Sequence, residues 1–332
     1  MSRAIHSLRL QYRDGIPNLE REILRLPAPR LPPHIRTRLP SPSLVVRFGS
    51  DTVLRQSVWG SRVGHPAMMH CGLLLELVRL YTRPKWRILD PFGGVGTTAL
   101  AALLDREVIL SEIEPHFVET ARAIIPKLTQ DVLPLTSGFP KVNNLRVIPG
   151  TLDNLALEAG FFGTACVADV TVLNQDSRRL DCTGLVHTVI TSPPYLDTFA
   201  HPHSAKFMPS TARSYTQDTD SPNLARIRNV HIFNRGLGQV FQACSRVLMQ
   251  GGLMVLVTKD PIRNGWRYPF ALSCITTMQA LGFELIDWWR RECIPTLFVN
   301  LKRQKNPDAC QVNHEDVLVF SRYSSGQAVT HA

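Results

Sequence analysis

Fifteen residues, Trp86 to Leu100 (WRILDPFGGVGTTAL), constrain this chain more than any others. A short apolar run, Arg87 to Leu89, ends on the carboxylate of Asp90. Pro91 and Phe92 follow, then Gly93, Gly94 and Gly96, two threonines (Thr97, Thr98) and an alanine-rich helix from Ala99 to Leu104. Strand, tight glycine turn and helix in that order form one unit of an α/β fold. Glycine takes positive φ without strain and lets a ligand approach the backbone, and the amides that open a helix receive acceptors. A ligand with a sugar and a polar tail suits such a turn. The glycines also fit a dinucleotide site, whereas a phosphate-cradling loop would need a Lys-Ser or Lys-Thr pair that does not follow them. A turn that holds no ligand is a further reading, so the decision lies elsewhere in the chain.

The 332 residues suffice for one large domain or two. No apolar run approaches the roughly 20 residues of a membrane span, and the amino terminus lacks the apolar core of a secretory signal, so a cytoplasmic protein is expected. The formal charge is +10, and arginine supplies 30 of the 37 basic residues. Its planar fork suits phosphate, so a polyanionic partner fits, although composition bias would give the same count. Seven scattered cysteines without a Cys-x-x-Cys pair indicate reduced thiols packed as small apolar residues and no structural zinc.

Residues 1–60 are arginine-rich and carry the proline-rich run Leu26 to Pro42, which predicts an extended basic arm. A single domain is expected over 61–325. Within it, Leu73, Leu74, Leu77, Val78 and Leu80 have helical spacing, and Glu107 to Leu110 reads as a second strand. Glu112 stands just past that strand, where a carboxylate accepts from both hydroxyls of a ribose, and a helix over His116 to Leu128 follows. Residues 129–165 are broken by Pro, Gly and Thr and read as an irregular insertion. Ala168 to Leu173 and Val186 to Ile190 are the next strands, a helix runs from Gln239 to Met249 with Gly251-Gly252 as its stop, and Leu253 to Thr258 is a buried strand. Helix Phe270 to Leu281, strand Phe283 to Glu292 and strand His314 to Phe320 complete the pattern. The polar stretch 199–235 is a candidate recognition segment or lid. Its His201 and His203 are read as loop histidines, so no metal is expected.

The second informative stretch closes the strand at Val186 to Ile190: Thr191-Ser192-Pro193-Pro194-Tyr195. Two prolines fix φ and remove donors, which leaves a stiffly held carbonyl beside a hydroxyl and an aromatic face. That set can accept from an exocyclic amino group while stacking the ring that bears it.

Taken together, these stretches resemble the S-adenosylmethionine-dependent DNA methyltransferases that modify exocyclic amino groups, the N4-cytosine and N6-adenine family. Asp90 to Thr98 (DPFGGVGTT) is similar to that family's DPF-x-G-x-GTT cofactor motif, and Ser192 to Tyr195 matches its catalytic tetrapeptide in the SPPY form associated with cytosine N4. Arg246 to Gly252 resembles its RVLKPGG turn, His314 to Phe320 its HE-x-VLVF strand, and His65-Pro66-Ala67 the segment before the cofactor strand. The cofactor motif precedes the catalytic one, a permuted order for relatives with this glycine pattern.

The resemblance implies a class I methyltransferase fold: a Rossmann-like, doubly wound, mostly parallel seven-stranded sheet with an antiparallel last strand. It implies S-adenosylmethionine held by His65, Pro66, Asp90, Pro91, Phe92, Gly93, Gly94, Gly96, Thr97, Thr98, Glu112 and Asp176, with Asp153 a rival to Asp176. Ser192, Pro193, Pro194 and Tyr195 would act on a base flipped out of duplex DNA, and a restriction enzyme is a partner such a protein can have. N6-adenine or RNA methylation, a NAD oxidoreductase and a non-catalytic nucleic-acid-binding subunit are the alternatives. The whole reading requires the carboxyl ends of the strands at 87–90 and 187–191 to lie side by side.

Overall fold

The computed structural model describes residues 45–60, 68–129, 168–195, 223–263, 266–293 and 312–322. The first strand of the glycine unit, β2 (Arg87–Asp90), pairs in parallel with β3 (Glu107–Glu112) on one side and with β5 (Val186–Thr191) on the other. Outward from β3 lies β4 (Val170–Asn174), also parallel. On the other side β5 pairs in parallel with β6 (Leu248–Thr258). Next comes the antiparallel β10 (His314–Ser321), inserted between β6 and β9 (Glu284–Glu292), while β7 (Ile262–Arg263) and β8 (Trp266–Arg267) pair with each other in a separate antiparallel sheet. The expected seven strands are therefore present, in the order β4-β3-β2-β5-β6-β10-β9, with the last strand antiparallel. Chain growth reverses direction between β2 and β5, the place where an open α/β sheet binds ligands.

An eighth strand was not expected. β1 (Val45–Arg47) extends the edge in parallel with β9, and α1 (Thr52–Trp59) follows it. Val46, Phe48, Leu54 and Val58 are all buried in the core. The basic arm expected over 1–60 is thus corrected from Val45 onward, because these side chains cover one face of the sheet; the rest of the arm lies outside the described residues. The sequence did carry a signal, since Leu54 and Val58 sit four apart behind Asp51, a residue type that opens helices. In the structure Asp51 makes no cap hydrogen bond; its carboxylate accepts instead from Arg55 Nε and the Cys71 amide at 2.7 and 2.8 Å.

Helices cover both faces. On one face lie α1, α2 (Cys71–Tyr81) and α3 (Pro115–Thr129); on the other lie α4 (Val230–Val247) and α5 (Phe270–Ala280). α2 starts where His70 Nδ1 accepts from the Leu73 amide and buries the predicted Leu73, Leu74, Leu77 and Val78. Three boundaries differ from expectation. The turn after the glycines winds as a 3-10 helix over Thr97–Leu104, starting two residues earlier than predicted and almost wholly buried between α2, β3 and α3. α4 ends at Val247, so Gly251 and Gly252 do not stop it. They bend the start of β6, where a Cβ on Gly252 would meet Leu248 at 2.8 Å. Finally, Asn223 to Arg235 is not part of a loose polar segment, since Leu224, Ile227 and Phe233 are buried. The remainder of 199–235, the insertion 129–165 beyond α3, and the basic loop at 302–305 lie outside the described residues.

Candidate active site

The tips of β2 and β5 meet. Ile88 lies opposite Thr188 and Leu89 opposite Val189, and beyond those pairs a single carboxylate joins the two strands. Asp90 Oδ1 accepts from Thr191 Oγ1 at 2.6 Å and from the Phe92 amide at 3.0 Å, and Oδ2 accepts from Thr98 Oγ1 at 2.5 Å. Asp90 is buried, and burial pushes its carboxyl up while the three donors pull it down, with a net rise. Both oxygens serve neighbouring protein groups, so Asp90 shapes the site by holding the glycine turn and the end of β5 together.

The turn owes its course to two glycines. Gly96 has φ +89°, and a Cβ there would meet Ala121 Cβ at 3.1 Å; a Cβ on Gly93 would meet Leu110 Cβ at 3.0 Å. These contacts reflect close packing of the turn on α3 and β3. The Gly93 amide donates to Ser111 O, and Trp59 Nε1 of α1 donates to Val95 O at 2.8 Å. Behind the turn, Glu112 Oε2 accepts from the Gly94 amide and Oε1 from the Glu114 amide, each at 2.8 Å. Burial pushes the Glu112 carboxyl up to about 7, against the pull of those amides.

One cleft runs from this turn to the end of β5. Asp90, Pro91, Phe92, Gly93, Gly94, Thr97 and Thr98 line it together with Glu112, Asp176 and all four residues from Ser192 to Tyr195. Of the predicted site residues, Gly96 shapes the turn from behind, and His65 and Pro66 lie outside the described residues, as does Asp153. Asp176 caps a short 3-10 turn, Ser177–Arg179, and its carboxylate also holds the Arg178 guanidinium at 2.6 Å. Burial raises its pKa, but the Arg178 bonds outweigh that and leave it lowered. Tyr195 packs edge-on against Phe270, and burial together with the nearby Glu315 charge pushes its phenol up, opposed by a bond to Ser192. It therefore stays neutral and cannot serve as a base.

Several lining residues had not been singled out. Ser177 Oγ donates to Pro91 O and bonds Ser111 Oγ, each at 2.6 Å, tying the ends of β2 and β3 to the chain beyond β4. Glu114 Oε1 accepts from Asn223 Nδ2 and Arg226 Nη2, which fixes the wall formed by Asn223 to Ala225. Met68 and Met69 stand just before α2. Gln175 is the most informative: its Nε2 is buried and has no hydrogen-bond partner among the described residues, yet the side chain lines the cleft. A buried donor without a partner costs about 1–3 kcal/mol, so such a group points to a ligand acceptor. Its only sequence signal was its place beside Asp176.

Residues 50–123 match a family model described as DNA methylase. Over those residues the chain is similar to that family. The matched segment starts at α1 and takes in α2, β2, the glycine turn, β3 and most of α3, so it includes part of what composition assigns to the arm. Type II methyltransferase M2.MboI of Moraxella bovis is 39% identical over 66 residues, which are 20% of this chain and 24% of that protein. The chain thus spans about a quarter of that relative's length. Among solved structures, TrmN from Thermus thermophilus is 16% identical with a TM-score of 0.38, over 76% of this chain and 49% of its own. The magnesium protoporphyrin IX methyltransferase ChlM of Synechocystis, with bound SAH, is 13% identical with a TM-score of 0.40, over 82% and 89%. The fold of this chain rests on its own strand order. Among the described residues no group of His, Cys, Asp or Glu could hold a metal ion, and no helix is long and apolar enough to cross a membrane. Cys71, Cys182, Cys244, Cys274 and Cys293 are free thiols, three of them buried as packed residues.

Proposed function

We propose that this chain transfers a methyl group from S-adenosylmethionine to an exocyclic amino group of a DNA base, with cytosine N4 preferred to adenine N6. The observation that carries the reading is the Asp90–Thr191 bond, which brings the glycine turn and Ser192 to Tyr195 into one cleft. The residues present fit the cofactor. Gly93 and Gly94, which carry no side chain, would let its methionine part approach the turn, Glu112 would accept from the ribose hydroxyls, and Gln175 Nε2 and Asp176 would offer a donor and an acceptor to the two sides of an adenine. Bound there, S-adenosylmethionine supplies an electrophilic methyl on a sulfonium.

The chain's own residues then have to prepare a poor nucleophile. The lone pair of an aromatic amine is delocalised into its ring. The Ser192 hydroxyl and the stiff carbonyl beside it accept the two amine protons, which favours a pyramidal nitrogen with its lone pair aimed for in-line attack. The nitrogen becomes strongly acidic on attack, so it sheds its proton without a strong base, in keeping with a neutral Tyr195. Tyr195 stacks a base flipped from the duplex at a cost of about a few kcal/mol. DNA as partner, base flipping, a cytoplasmic setting, a restriction enzyme beside the gene product and the preference for cytosine all belong to this proposal; that last preference rests on the serine of SPPY.

Incubating the purified chain with methyl-labelled S-adenosylmethionine and genomic DNA, then digesting to nucleosides for mass spectrometry, tests it. N4-methylcytosine is the expected product, and N6-methyladenine would transfer the reading to adenine. Label appearing only in RNA, or in no nucleoside, overturns it, and activity retained in both Ser192→Ala and Tyr195→Ala would remove the site assignment.

A further inference from the structure

The outer flank of α4 carries cations for which the reaction has no use. Its sequence, VHIFNRGLGQVFQACSRV, contains no carboxylate. His231, Arg235, Gln239, Gln242 and Arg246 are spaced four, four, three and four residues apart, so they share one helical face, and all five are exposed. Beside the lower half of this face packs the 3-10 turn Ser177–Arg179, so that Arg178, Arg179, Gln239, Gln242 and Arg246 line a single depression. Arg178 is held by Asp176. Among the described residues, Arg179, Arg235 and Arg246 form no ion pair.

A cation in the last turn of a helix is favoured by the helix dipole, which accounts for Arg246. It does not account for two more guanidiniums converging on that spot from another element. Asp176 offsets Arg178, but Arg179 and Arg246 still add like charge beside it, which raises the local potential and is repaid by an anion. Guanidinium forks and glutamine amides both donate to phosphate oxygens. The stripe from residue 231 to 246 is about 22 Å long at 1.5 Å per residue, long enough to meet several phosphates of one DNA strand. Its upper end adjoins the cleft, because α4 begins just after the lining residues Asn223 to Ala225.

We infer that this flank of α4 and the Ser177–Arg179 turn bind the phosphate backbone of duplex DNA next to the flipped base, an inference that rests on the functional reading above. The test uses the full chain carrying Arg179→Ala with Arg246→Ala, and a second variant with both changed to Glu. Arg178 is left alone because it braces Asp176 in the cleft. Binding of a fluorescent duplex is followed by anisotropy from about 50 to 200 mM KCl, alongside steady-state methylation and isothermal titration with S-adenosylmethionine. Each phosphate contact contributes about one unit to the log–log salt slope. The double alanine variant should therefore lose about two units of slope and raise KM for DNA about tenfold, with kcat at saturating DNA and cofactor affinity unchanged; the Glu variant should bind still more weakly. If wild type methylates duplex DNA and both variants keep its slope and KM, the inference falls while the functional reading stands. A wild type that binds cofactor but neither binds nor methylates duplex DNA overturns both.

Discussion

At the scale of single residues the site depends on carboxylates whose surroundings give them different duties. Both oxygens of Asp90 are consumed by internal donors, two of them hydroxyls, whereas Glu112 accepts from the backbone amides of Gly94, Glu114 and Ile113 and still lines the cleft. The folded value of Glu112, about 7, lies above its ordinary 4.5, so the folded chain holds that proton more tightly than the unfolded one. Its stabilising contribution is therefore complete below about pH 4.5 and is lost as pH rises through about 7. Urea denaturation should show wild type losing roughly 3 kcal/mol relative to Glu112→Gln between those limits. A difference that stays flat with pH would refute the burial argument. The same ionisation favours ribose donors, so cofactor affinity in wild type should climb from pH 6 to 8 and level off above. In Glu112→Gln it should be weak at every pH.

At the scale of elements, α1 is the piece that composition misassigned. Prolines and arginines dominate the residues before it, and eight residues of helix with a three-residue strand give little periodicity to read. Its duty is nonetheless specific, since Trp59 Nε1 pins the Val95 carbonyl inside the glycine turn. Trp59→Phe removes that donor and keeps the ring. Losing one hydrogen bond of about 1 kcal/mol should weaken cofactor binding about fivefold by calorimetry, with denaturant stability lowered by no more than about that amount. Unchanged affinity would mean that α1 only packs. By contrast, β2, β3 and β5 were readable because buried parallel strands appear as continuous apolar runs closed by turn residues, and the antiparallel β10 reads the same way because it is buried between β6 and β9. β6 was half readable: nothing local distinguishes a glycine pair that ends a helix from one that bends a strand.

For the molecule as a whole, the two motifs could be identified from sequence because each sits at a strand's carboxyl end, and the strand order brings those ends together. What sequence could not provide was the set of contacts made across the sheet. Ser177 reaching Pro91, Glu114 reaching Asn223 and Arg226, and Gln175 left with a spare donor depend on strands far apart in the chain. If the cleft is the cofactor site, ligand binding stabilises the fold in proportion to saturation. S-adenosylmethionine at about one hundred times its Kd should add about 2.7 kcal/mol, a rise of several degrees in Tm by calorimetry. NAD at the same multiple of concentration should leave Tm where it was. The reverse result would return the glycine turn to the oxidoreductases.

The carboxylate shared by Thr98 and Thr191 also limits how such a protein can be altered. The glycine turn and the end of β5 are stitched through one side chain, so neither can drift without dragging the other out of line. For the proposed reaction, changing which base is accepted would mean working at the rim of the pocket and leaving that stitch intact.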